Sequence, residues 1–181
     1  GWTHDGSMLG VGCQSGEILL FSGNGQLIRT LPKHLYKGKA VEIHRMKFLP
    51  NDREIAYCGV GWAGVVSAID GKARVEFTGH DNTVMAVNVS ADGKRVVSSG
   101  GNKHQTVVWS NVEGKTISHL NGAGQAGWGV GWAAGRRAGG VRRYAGGCAF
   151  TGRLRRIVRQ PSAIPLGQLA ELTAVPLAHV G

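Results

Sequence analysis

Residues Gly79 to Gly100 read G-H-D-N-T-V-M-A-V-N-V-S-A-D-G-K-R-V-V-S-S-G, then Q-T-V-V-W-S from Gln105 to Ser110 and G-K-T-I-S-H-L from Gly114 to Leu120. Met85, Val87 and Val89 alternate with polar or small neighbours, a period of two that puts them on one face of a strand. Ala91-Asp92-Gly93 reverses the chain, with glycine supplying the positive φ a tight hairpin needs. Val96 and Val97 begin a second strand, and Thr106 to Trp109, rich in β-branched and aromatic side chains, a third. With the segment to Leu120, the stretch predicts four short strands joined by short turns.

Two earlier segments repeat this text. One runs W-T-H-D-G-S-M-L-G-V-G-C-Q-S-G-E-I-L-L-F-S from Trp2 to Ser22, then G-Q-L-I-R-T-L from Gly25 to Leu31. The other runs M-K-F-L-P-N-D-R-E-I-A-Y-C-G from Met46 to Gly59, then Gly64 to Gly71 and Arg74 to Phe77. A fourth copy starts at G-W-G-V-G-W, Gly127 to Trp132, and stops. Trp2, Phe48, Val89 and Trp132 form one column, at spacings of 46, 41 and 43 residues. Phe21, Ile69 and Trp109 are read as a second column, and Leu31, Phe77 and Leu120 as a third. Several short strands recurring at about 40–45 residues are the mark of propeller blades.

Gly79-His80, the Asp92-Gly93 turn and Trp109 resemble the GH pair, the DG turn and the tryptophan of WD repeats. The resemblance covers residues 2–132. It implies an all-β fold, a partial and open propeller of about three four-stranded antiparallel blades at 2–31, 41–77 and 80–120, with a fourth beginning at 122–133. It also implies a hydrogen-bonded set that locks each blade: a loop histidine, a strand Ser or Thr, a turn Asp and the strand Trp. His80, Ser98 and Trp109 match three of the four, while Lys103 or His104 stands where the Asp belongs and Ser110 replaces the Asp after Trp. The second unit has Lys33-His34 in place of GH. Rings of this kind commonly have seven blades, so roughly half of one is expected outside this chain, in keeping with a first residue that is Gly1. Three unclosed blades would expose apolar faces and strand edges and melt over a broad range.

Charge divides the chain. Residues 1–133 carry 13 basic and 10 acidic side chains, whereas residues 134–181 carry eight arginines, no lysine and one acid, Glu171. The net +10 therefore belongs mostly to the tail. From Arg136 to Pro161 no alternating strand pattern is legible, and the Arg, Gly and Ala excess is what GC-rich DNA gives when read out of frame. The segment 134–181 is accordingly expected to be disordered or out-of-frame. Translating the source DNA in its other frames past residue 134 tests this. An Arg-rich arm binding nucleic acid through phosphates, with Tyr144 and Phe150 stacking on bases, is the less favoured alternative.

Cys13, Cys58 and Cys148 are widely spaced, with no metal-ligand pair and no disulfide framework, so a reducing cytoplasm is expected and Cys13 and Cys58 read as core cysteines. No stretch reaches the roughly 20 apolar residues that span a bilayer, so no membrane association is expected. The chain contains no G-x-S-x-G, H-E-x-x-H or P-loop motif. G-A-G-Q-A-G, Gly122 to Gly127, spells a dinucleotide fingerprint but precedes a strand, so it reads as a link between blades. No enzyme activity and no cofactor are expected.

Function then rests on the resemblance, which implies a non-catalytic scaffold for other proteins or peptides. Alternatives are a regulatory propeller within a larger enzyme and nucleic-acid binding by the tail. Loops at one end of such a propeller commonly dock peptides. Trp62, read as an aromatic in the glycine-rich loop Gly59 to Gly64, and Lys103 and His104 in the matching turn, are the candidate binding residues.

Overall fold

The computed structural model describes residues 1–103, 105–120, 129–132, 141–144 and 147–150, and its architecture is all-β. β1 (Met8–Gly12), β2 (Ile18–Ser22) and β3 (Leu27–Leu31) make the first sheet. A two-residue-per-strand hairpin follows, β4 (Leu35–Tyr36) with β5 (Lys39–Ala40). The second sheet is β6 (Arg45–Phe48), β7 (Glu54–Gly59), β8 (Trp62–Ser67) and β9 (Ala73–Phe77). The third is β10 (Val84–Val89), β11 (Arg95–Gly100), β12 (Gln105–Ser110) and β13 (Thr116–Leu120). In all three, every pairing is antiparallel between strands consecutive in the chain.

Strand register tests the columns directly. Trp2 bridges Leu9, which pairs with Phe21; Phe48 pairs with Ile55 and that with Val66; Val89 pairs with Val96 and that with Trp109. The first column is therefore structural, and the first sheet holds three strands plus the Trp2 bridge rather than four strands. The third column is also structural, since Leu31, Phe77 and Leu120 pair with Ile18, Ala63 and Thr106, three residues before the second column. The second column requires correction: Val66, not Ile69, stands with Phe21 and Trp109. Val66 is buried, whereas Ile69 is 56% exposed in the following turn. A β-bulge falls at the same place in each sheet, between Leu20 and Phe21, Val65 and Val66, and Val108 and Trp109. An extra residue at a fixed point in the outermost pair adds local twist there.

Alternate residues of each sheet face opposite neighbours. Ile18, Leu20 and Leu31 pack against Phe48, Ile55 and Val66, closing the first inter-sheet core. Ala56, Cys58, Val65 and Phe77 pack against Val87, Val89, Val96 and Trp109, closing the second. The opposite face of the first sheet leaves Trp2 50% and Val11 38% exposed.

The turn between the first two strands shows how a local rule is broken for a long-range gain. Gly6, Asp52 and Gly93 stand in register, at φ 71°, 52° and 68°. Asp52 alone carries a side chain in this left-handed region, and its carboxylate accepts from His4 N (2.8 Å), His4 Nδ1 (2.7 Å) and Asp5 N (3.4 Å) of the neighbouring sheet. Hydrogen bonds from His4 and Asp5 hold its pKa below the ordinary carboxylate value. Asp52→Ala, which keeps the backbone cost and loses the clamp, is expected to destabilise by about 1–2 kcal/mol, and Asp52→Gly by less. Urea unfolding of the two variants side by side checks the order.

β14 (Val130–Trp132) lies on the third sheet: Val130 and Trp132 pack on Val97 and Val108, Asn88 Nδ2 donates to Val130 O at 3.1 Å, and the Arg95 guanidinium sits 5.1 Å from the Trp132 ring centre. β15 (Val141–Tyr144) and β16 (Gly147–Phe150) follow. Val141, Tyr144 and Phe150 supply β-forming residues that the surrounding arginines and glycines obscured. β14 pairs with β16 in parallel and β15 with β16 antiparallel, so the consecutive order of the first three sheets does not continue. The expected boundary at 133/134, the Gly122 to Gly127 link and residues 151–181 lie outside the described residues.

Candidate functional site

An up-and-down sheet of four strands puts its second-to-third turn and its exit at the same end. Backbone bonds tie these loops together both within a sheet and from one sheet to the next. His34 N donates to Gly16 O (2.9 Å), Ile43 N to Cys13 O (3.2 Å), Gly61 N to Asn82 O (3.2 Å) and Gly101 N to Thr83 O (3.0 Å). Val60 and Thr83 add a β-bridge. Asp81 Oδ1 accepts from Asn102 N at 2.8 Å, and Asn82 Nδ2 donates to Asn102 Oδ1 at 2.6 Å. Leu35 at the β4–β5 hairpin and Val60 stand out from this surface at 58% and 46% exposure.

Lys103 is exposed in the turn after Gly101, and His104 lies outside the described residues. Trp62 is not in a loop. It opens β8, only 2% exposed, behind a two-residue turn of Val60 and Gly61 (φ 76°). The expectation that it anchors a partner is corrected, because a covered side chain offers no surface. The glycines around it mark close approach instead: a Cβ on Gly59 would lie 2.2 Å from Glu42 O, and one on Gly64 2.8 Å from Val75 O. Of the cysteines, Cys58 is fully buried and its thiol pushed up to about 12 by desolvation, while Cys13 is only partly buried.

His80, Ser98 and Trp109 come together in the third sheet. Trp109 Nε1 donates to Ser98 Oγ at 3.1 Å, and His80 Nε2 lies 2.7 Å from the same oxygen. Trp109 stacks on Phe77, ring centres 5.0 Å apart and 3° from parallel, and His80 meets the Phe77 edge. All of this is buried, and desolvation, helped by His119, lowers the His80 pKa to about 4. His80 Nδ1 has no hydrogen-bond partner among the described residues, which is where the turn Asp of the resemblance would act.

The second sheet solves the same packing problem with other chemistry. Tyr57 and Val66 stand in register with Ser98 and Trp109, and His34 occupies the loop-histidine place. Tyr57 Oη lies 2.7 Å from His34 Nδ1. Trp62 lies against both rings, its centre 3.9 Å from His34 and 4.6 Å from Tyr57. Burial raises the phenol pKa and lowers that of His34, which favours the uncharged form of both partners of this hydrogen bond. His34 was visible in the sequence as the GH substitute; Tyr57 carried no signal, because its register partner in the third sheet is a serine.

Three antiparallel meanders in succession, a bulge repeated at one register position and a His–Ser–Trp lock in the third sheet define a β-propeller fold of the WD40 type, partial and open. The solved C-terminal WD40 domain of Sif2 superposes with a TM-score of 0.60 at 17% sequence identity, over 72% of this chain and 38% of that one. The chain thus spans well under half the length of the domain it resembles. No protein-family model matches the sequence.

Proposed function

We propose that this chain is part of a non-catalytic cytoplasmic scaffold that binds other proteins through the loop surface at one end of its sheets. The observation that carries the reading is the cross-linking of that surface. Loops bonded to one another across sheets lose little further freedom on binding, and exposed apolar side chains held on such a platform suit a protein partner. Leu35, Val60 and Lys103 are the contacts expected. WD40 folds typically serve as binding platforms rather than catalysts, which supports the same reading. Leu35→Glu combined with Lys103→Glu, on the exposed surface, is expected to leave the circular-dichroism melt unchanged. Chemical cross-linking in source cells followed by affinity purification is expected to recover the specific partner at least about tenfold less well with this variant. Equal recovery overturns the assignment of the surface.

A further inference from the structure

A cavity of about 270 Å³ opens between the first two sheets, lined among others by Leu31, His34, Tyr57, Val66, Ala73 and Glu76. Four of these stand in register with the residues that surround and include the third sheet's indole: Leu31 with Phe77, His34 with His80, Tyr57 with Ser98, and Val66 with Trp109. In the third sheet the indole fills this space, stacked on Phe77 and donating its N–H to Ser98 Oγ. In the second, valine stands where the tryptophan would, and part of the room remains as the cavity. An apolar cavity of about 150 Å³ already takes up benzene, so this one has room for a bicyclic ring.

We propose that the cavity receives the indole of a tryptophan carried by another polypeptide, the ring lying over Leu31 and its N–H donating to the Tyr57 hydroxyl. The proposal deepens the scaffold reading and rests on it. The hydrogen bond to His34 uses one of the hydroxyl's three sites, its donor or one of two acceptor lone pairs, which leaves the phenol oxygen a lone pair to accept with. The Glu76 carboxylate at the edge favours a ligand that presents N–H groups, and the nearby Lys33 is engaged by Glu17 at 3.8 Å. An indole is therefore preferred over an aliphatic side chain, which could use the volume but not the acceptor.

The test uses the whole 181-residue chain and follows backbone amide resonances of Leu31, Val66 and Ala73 during titration. N-acetyltryptophanamide is expected to give saturable shifts, N-acetylleucinamide none, and the ring-nitrogen-methylated tryptophan amide about tenfold weaker binding. Tyr57→Phe is expected to erase the difference between the methylated and unmethylated probes, and Val66→Trp to abolish binding by filling the site. Should Val66→Trp fail to fold, the methylation comparison on the unaltered chain decides. No saturable shift with the tryptophan amide, equal response to the leucine amide, or no effect of methylation overturns the proposal. Binding of free indole with exclusion of the amide assigns the cavity to a small molecule and overturns the polypeptide ligand. A partner still lost on Leu35→Glu with Lys103→Glu, but no indole binding, overturns the cavity alone and leaves the loop surface standing.

Discussion

Trp109→Ala is expected to lower the local stability of the third sheet by about 4 kcal/mol, the largest effect of any single change considered. The side chain is fully buried, stacks on Phe77, and caps the core shared with the second sheet. Its removal opens a void between two sheets whose backbones are fixed by their ladders and cannot collapse into it. It also strips the fully buried Ser98 Oγ of a donor. Trp109→Phe separates the two contributions, keeping an aromatic ring on Phe77 and losing the hydrogen bond, for about 1–2 kcal/mol. Hydrogen exchange at the amides of Val97 and Val108 reads this without assuming all-or-none unfolding, and about 4 kcal/mol corresponds to roughly a thousandfold loss of protection. Protection that falls less than tenfold on Trp109→Ala would show that the indole is not the keystone of this sheet.

Acid is expected to weaken the same region by about 3 kcal/mol through His80 alone, since its pKa is near 4 folded and about 6.5 unfolded. Between those values the unfolded chain holds the extra proton. The stabilisation is therefore complete above about pH 6.5, declines as pH falls, and is gone below about pH 4. His34, also lowered by burial, acts in the same direction. The depressed carboxyls Asp5, Asp52, Asp70 and Asp92 lose their contribution only at lower pH, below their ordinary value. Exchange protection in β11 and β12 at pH 7, 5.5 and 4 measures the effect, and His80→Gln should flatten it. Lys103→Asp supplies the acceptor that the WD-repeat lock has and this sheet lacks. It is expected to raise the His80 pKa and shrink the acid loss; an unaltered loss would mean that the turn does not reach Nδ1.

The architecture was readable wherever alternation and turn chemistry agreed. Met85, Val87 and Val89 with the Asp92-Gly93 turn placed β10 and β11, and the columns through Phe48 and Phe77 survived comparison with the ladder. Ile69 was misread because β8 is buried on both faces from Trp62 to Ser67, so its run of small and apolar residues has no period to fix the register. Trp62 was misread for a related reason. Glycine at Gly59 and Gly64 looked like loop text, whereas it makes room for a neighbouring backbone. The lock of the third sheet could be found from a motif, since its residues match a known pattern. That of the second could not, because Tyr57 and Trp62 answer only to each other and to His34.

The two locks also limit how the repeats can be recombined. A tyrosine transplanted to Ser98 would meet Val107 and the Trp109 indole where Tyr57 meets Gly64 and Val66. Each repeat therefore behaves as a cassette whose members must be exchanged together. Averaging them into one consensus would mix two incompatible solutions and leave both interfaces poorly packed.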